Sequence, residues 1–268
     1  IGDIVDYIPG PDMGTNETCM AWVRDEIGRA VGLPAAIGGI PLDEIGATGF
    51  GVAVAGRIAQ DFCDVRLDGA RVAVQGYGAV GRHAARFLAA EGARLVAAAD
   101  SHGTVIDEAG LDLDALDELK AAGKSVVDLP GAETGDAEAI VAAPCDIWIP
   151  AARPDVLRAD NVDRLQARLV LQGANIPATA EAEARMAARG ILNVPDFVAN
   201  AGGVICASVE YLGGTHAAAF AAIEEKIAAN TEAVLMAALD RDLLPRAAAD
   251  VLARERVEAA MRFRRWHA

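Results

Sequence analysis

The segment RVAVQGYGAVGRHAARFLAAEGARLVAAAD, residues 71–100, constrains the fold of this chain more than any other. Val72, Ala73 and Val74 form a short apolar run that leads into Gly76, Gly78 and Gly81. From His83 to Glu91 the pattern turns helical, with Ala84, Ala85, Phe87 and Leu88 apolar, and a second apolar run, Leu95 to Ala99, ends in Asp100. A strand, a glycine turn, a helix and a second strand closed by an acid make the dinucleotide-binding fingerprint in the setting it requires. Gly76 then makes the tight turn, Gly78 lets backbone approach a pyrophosphate, and Gly81 lets the helix pack on the sheet. The N–H groups of Ala79 and Val80 face the phosphates at the positive end of the helix. A glycine-rich turn without a ligand is the alternative, and the second strand with its terminal acid speaks against it.

A coarse reading places helices at about 16–31, 49–63, 79–91, 112–122, 136–142, 154–165, 179–189, 201–212, 217–239 and 244–264. Strands fall at about 71–75, 94–99, 146–149, 168–172 and 191–194, with a weak one near 125–128. Strands alternating with helices imply an α/β fold with a doubly wound, mostly parallel Rossmann-type sheet and additional N- and C-terminal helices. The last two helices follow the last strand, and faces such as Ile223, Ile227 and Val234 need a surface to pack on. A bridge to another domain or subunit is the expected use.

At 268 residues the chain is one large domain, or one domain with appendages, and can bury about three quarters of its unfolded surface. A net charge of −15 disfavours nucleic acid and anionic membranes as partners. Cys19, Cys63, Cys145 and Cys206 are scattered through apolar surroundings with no CxxC spacing, so buried free thiols and no metal site are expected. No apolar run is long enough to span a membrane and no signal peptide leads the chain, which together point to the cytoplasm.

Six segments in order, PGPDMGTNETCMAW (9–22), ATGFGV (47–52), VQGYGAVG (74–81), CDIWIPAA (145–152), QGANIPAT (172–179) and PDFVANAGGV (195–204), resemble the glutamate/leucine/phenylalanine/valine dehydrogenases, glutamate dehydrogenases most closely. The resemblance implies NAD(P)-dependent oxidative deamination of an L-amino acid, with hydride passing from the substrate Cα to the nicotinamide. It implies an acid–base role for Asp12, whose other reading is a turn or cap residue before the first helix. It also implies cofactor contacts from Thr48 to the nicotinamide carboxamide, from Ala151 and Ala152 along the dinucleotide, and from Asn175 and Asn200 near the nicotinamide ribose. Helix capping, a left-handed turn or close packing are the other readings of those residues.

Asp100 is expected to accept from both ribose hydroxyls of NAD and to repel a 2′-phosphate, which favours NAD, while Ser101 or His102 could accommodate NADP. The family's N-terminal substrate domain and its catalytic lysine have no counterpart before Ile1; Lys120, Lys124 and Lys226 are the lysines, expected in helices far from any motif. The expectation is therefore a coenzyme-binding domain over 1–268, with a helical lead-in at 1–65 and bridging helices at 213–268, inactive by itself and part of a homo-oligomer when full length. Where glutamate dehydrogenases place a serine for the substrate side-chain carboxylate, this chain has Ala207, with Ser208 one residue later. A branched-chain or aromatic substrate, or a non-catalytic nucleotide-binding role, is the alternative.

Overall fold

A computed structural model describes residues 3–12 and 14–263. Its centre is a seven-stranded sheet in the order β4-β3-β2-β1-β5-β6-β7. The strands are β1 (Arg71–Gln75), β2 (Arg94–Asp100), β3 (Gly103–Ile106), β4 (Glu133–Gly135), β5 (Ile147–Pro150), β6 (Leu169–Leu171) and β7 (Leu192–Val194). β1 pairs in parallel with β2 and β5, and β5, β6 and β7 continue in parallel. The expected doubly wound, mostly parallel sheet is therefore present.

Period-two alternation sorts the strand side chains onto two faces. Val72, Val74, Ile147, Ile149, Leu169 and Leu171 enter the main core. Ala73, Trp148 and Val170 enter a second core on the opposite face, where the Trp148 indole donates to the Ile140 carbonyl at 2.9 Å. On the main face α2 (Ala47–Ala59) and α3 (Ala79–Ala90) lie against the strands, and α7 (Gly202–Tyr211) and α8 (His216–Arg241) pack on α2. Small residues in α2 allow the close approach: a Cβ on Gly51 would lie 2.5 Å from Ile227 Cδ1, and one on Gly56 2.9 Å from Leu171 Cδ1. Ile223, Ile227 and Val234 are buried in this same core, where α8 packs on α2 and α7. The remaining helices are α1 (Glu17–Ile27), α4 (Leu113–Ala121), α5 (Ala180–Ala188), α6 (Asp196–Ala199) and α9 (Pro245–Met261).

Three expected elements differ. The weak strand near 125–128 is a single 3-10 turn, because Ser125 and Asp128 form a reciprocal capping box around it. The helix expected at 154–165 is mostly turn: Asp155 has φ 52°, Leu157 bridges to Ala178 as a strand would, and buried Asn161 donates to the Val156 carbonyl. Only Val162–Arg164 is helical there, and the helix expected at 136–142 is the short 3-10 stretch Ala139–Ala142. The antiparallel strands β3 and β4 are additions to the expected set. Among the described residues no helix is long and apolar enough to cross a membrane, and all four cysteines are free, Cys145 and Cys206 buried and Cys19 and Cys63 half-buried.

Candidate cofactor site at the strand ends

The glycine turn runs from the end of β1 into the start of α3. Gly76 N and Tyr77 N both donate to the Ala99 carbonyl of β2, at 2.9 and 2.8 Å. Gly76 has φ 96°, and a Cβ there would lie 2.6 Å from Ala152 Cβ. A Cβ on Gly81 would collide with the Gly76 carbonyl oxygen. Gly78 differs: a Cβ there would meet nothing within 4 Å, and as N-cap of α3 it supplies no side-chain hydrogen bond. The first-turn N–H groups of α3, Ala79 and Val80 among them, thus lack intrahelical acceptors and face an open approach. This suits the pyrophosphate of a dinucleotide, drawn by N–H groups and the helix dipole together.

Other elements converge on the same end of the sheet. Gly173 lies against Val80, Pro150 and Ala151, where its Cβ would fall 3.1, 3.4 and 3.5 Å from their atoms. Asn200 Nδ2 donates to Asn175 Oδ1 at 2.7 Å, which joins the loop after β6 to the start of α7. Thr48, on the first turn of α2, packs against that start: a Cβ on Gly203 would be 2.7 Å from Thr48 Oγ1. Thr48, Ala151, Ala152, Asn175 and Asn200 therefore gather with the glycine turn.

Asp100 and Ser101 close β2. The Asp100 carboxylate, 9% exposed, accepts from His102 N at 2.9 Å and Ser125 Oγ at 2.8 Å on Oδ1, and from Lys120 Nζ at 2.9 Å and Val126 N at 3.0 Å on Oδ2. Burial would raise its pKa, but these four donors outweigh burial and hold the carboxyl well below its ordinary value of 3.8. A carboxylate offers about four acceptor positions, and here all are filled, so a ribose hydroxyl would have to displace one of these donors. Lys120 is thus in contact with a motif residue, contrary to the expectation that the lysines lie far from any motif, and Lys124 lies in a turn after α4 rather than in a helix.

Tyr77 was not singled out in the sequence. It is buried between Gly76 and Gly78, and its hydroxyl donates to Asp117 Oδ1 at 3.2 Å, while Arg86 Nε donates to Asp117 Oδ2 at 2.5 Å. Asp117 and Lys120 share one face of α4, as residues three apart do, so this helix grips both the glycine turn and the exit of β2.

Asp12 lies in an exposed turn in which its N–H donates to Thr15 Oγ1 and its carbonyl accepts from Thr15 N; the cap of α1 is Asn16. The turn is fixed from behind. Val31 N donates to the Pro9 carbonyl, Pro11 fills the space beside Gly32, and Glu210 of α7 accepts from Gly32 N at 2.6 Å and Leu33 N at 3.1 Å. Burial, then the charges of Glu17 and Asp12, push up the pKa of Asp43 in the loop before α2. Asp12 therefore stands close enough to Asp43 for its charge to be felt there. On α7, Ala207 packs on the main core while Ser208 faces solvent.

Residues 38–265 match the family model of the Glutamate/Leucine/Phenylalanine/Valine dehydrogenases. The chain belongs to that family. Membership makes it an NAD(P)-dependent amino-acid dehydrogenase chain. It is 37% identical to a glutamate dehydrogenase of Aeropyrum pernix over 99% of its own length and 69% of the relative's. An NADP(+)-dependent glutamate dehydrogenase of Pyrobaculum calidifontis is also 37% identical, with 68% of its length covered. The hetero-hexameric glutamate dehydrogenase of Thermus thermophilus, in a Leu-bound form, superposes with a TM-score of 0.86 at 31% identity, covering 97% of this chain and 65% of that one. This chain thus spans about two thirds of the length of these dehydrogenases.

Proposed function

We propose that this chain is the coenzyme-binding part of a glutamate dehydrogenase, which interconverts L-glutamate with 2-oxoglutarate and ammonia, and that the full-length enzyme is a homo-oligomer. The observation that carries this reading is the uncapped start of α3 with open space over Gly78, set beside the Asn175–Asn200 pair at the same strand ends. Bound there, the nicotinamide would supply the hydride chemistry. Gly76, Gly78, Ala79, Val80 and Gly81 hold the pyrophosphate, Ala151 and Ala152 flank the dinucleotide, and Thr48, Asn175 and Asn200 orient its nicotinamide end. Asp100 and Ser101 border the adenosine ribose. The Lys120 ammonium on Asp100 offsets the charge that would repel a 2′-phosphate, which supports use of NADP as well as NAD.

Asp12 is the residue for proton transfer at the substrate nitrogen and the attacking water. Its segment is held by Pro9, Pro11 and, through Gly32 and Leu33, by Glu210, so the backbone that carries it is tethered to α7. In the full-length enzyme, Asp12→Asn is expected to lower kcat by about 10²–10⁴-fold with cofactor affinity unchanged. Equal turnover by the variant would remove Asp12 from the reaction, and no NAD(P) reduction with any amino acid would overturn the proposal as a whole.

A second reading concerns the substrate. Ala207 has no donor for a side-chain carboxylate, which favours an apolar L-amino acid. The L-tryptophan dehydrogenase of Nostoc punctiforme has a similar fold, with a TM-score of 0.70 at 26% identity. Comparing kcat/KM for glutamate, leucine and tryptophan separates the two readings.

A further inference from the structure

Arg246, on the first turn of α9, lies outside every motif that marks the cofactor site, yet its guanidinium ties together the ends of two strands and one helix. Its Nε donates to both carboxylate oxygens of Glu183 in α5, at 2.9 Å each. Its Nη2 donates to Gln172 Oε1 at 2.8 Å and pairs with Asp196 Oδ1 at 2.8 Å. Gln172, directly after β6, donates in turn to Glu183 and to Asn193 of β7, both at 3.0 Å, and accepts from Asp196 N. Gln172, Glu183, Asn193 and Asp196 are all buried, so the half-buried Arg246 caps a polar network at the sheet edge.

This network reaches the cofactor side through the Asp196 carboxylate. Asp196 Oδ2 accepts from Ile176 N at 2.7 Å. Ile176 has φ 41°, a left-handed conformation that a β-branched residue adopts only when its surroundings impose it. Asn175 precedes Ile176, and its Oδ1 receives Asn200 Nδ2 at 2.7 Å. The path from Arg246 to Asp196, Ile176 and Asn175 is therefore unbroken.

We propose that Arg246 is a positioning residue for the nicotinamide half of the dinucleotide: by fixing Asp196, it holds loop 173–177 in the strained form that presents Asn175 to Asn200. The inference rests on the reading of Asn175 as a cofactor contact. The adenine half, with its ribose beside Asp100 and its phosphates over Gly76–Gly81, is expected not to depend on Arg246.

That separation supplies the test. NAD and ADP, the adenine half alone, are titrated calorimetrically against the chain and its Asn175→Ala and Arg246→Met variants, well below their melting temperatures. Because Arg246→Met leaves two buried carboxylates unpaired, Arg246→Lys is measured beside it; it keeps the charge but loses the fork that reaches Glu183 and Asp196 together. Asn175→Ala and either Arg246 variant are expected to weaken NAD about tenfold while ADP affinity stays unchanged. If Asn175→Ala weakens NAD and neither Arg246 variant does, the inference fails and the Asn175 reading survives. Equal loss of NAD and ADP in the Arg246 variants would mark a general structural role and also overturn it. If Asn175→Ala leaves NAD binding intact, the Asn175 reading fails and the inference falls with it.

Discussion

The ammonium of Lys120 lies 2.9 Å from Oδ2 of Asp100, so the acid at the end of β2 is already neutralised before any cofactor arrives. An acid at this place, read from sequence, argues for NAD by repelling a 2′-phosphate. Paired with a lysine it loses most of that force, and the lysine becomes a phosphate partner in its own right. Lys120→Met is expected to raise the NADP dissociation constant about tenfold and that of NAD much less. Parallel titrations with the two cofactors measure the ratio, and an unchanged ratio would remove Lys120 from cofactor selection.

Asp100 should also leave a signature in the pH dependence of stability. Its folded-state pKa lies below the ordinary 3.8, so the unfolded chain binds the proton first as pH falls. The stabilisation it provides is complete above the ordinary carboxylate range and is lost as pH falls through that range towards the folded value. Asp100→Asn is therefore expected to cost about 2 kcal/mol at neutral pH, with the deficit relative to the parent shrinking at about pH 3 and below. Urea midpoints of the two proteins across that range test this; a constant deficit would mean that the charge plays no part.

The three glycines of the turn separate folding from binding. Gly76→Ala places a Cβ against Ala152 at a positive φ and should cost about 1–3 kcal/mol. Gly78→Ala has ordinary backbone, φ −100°, and open space, so its melting temperature should stay within a few degrees of the parent while dinucleotide affinity falls. Thermal melts beside calorimetry decide the matter. Normal cofactor affinity in Gly78→Ala would mean that the open space is not where the pyrophosphate sits.

Glu210 carries a prediction for the Asp12 segment. Its carboxylate is the acceptor for Gly32 N and Leu33 N, and Glu210→Leu removes both hydrogen bonds at a cost of about 1–3 kcal/mol. Amide exchange at Gly32 and Leu33 should speed up while the strand amides of β1 and β5 stay protected. Uniform acceleration would instead point to loss of the whole fold.

What sequence could reveal followed from how local each signal was. The glycine turn, the five parallel strands and the helices α2, α3, α7 and α8 carry their own periodicity and punctuation, and each lies near its expected place. β4 did not, because Glu133, Thr134 and Gly135 form a polar edge with no apolar alternation to notice, and β3, Gly103–Ile106, is only four residues long. The segment 154–165 looked helical by its spacing of apolar residues, yet a side chain, Asn161, satisfies the backbone there in a non-helical path. Residues brought to the site from a distance, such as Lys120, Tyr77 and Arg246, gave no local sign, since their meaning lies in partners 20, 40 and 63 positions away in sequence. Asp12, Asn175 and Asn200 stood out through motif resemblance.

The margins of the sheet bear on how copies of this chain can meet. β4 and β7 are each three residues long, and β4 carries exposed glutamate and threonine. Such margins offer a neighbouring strand few backbone groups to pair with, and at β4 a charge to bury as well. Sheet-to-sheet growth, a hazard of open sheet edges, is thereby opposed at both ends of the sheet.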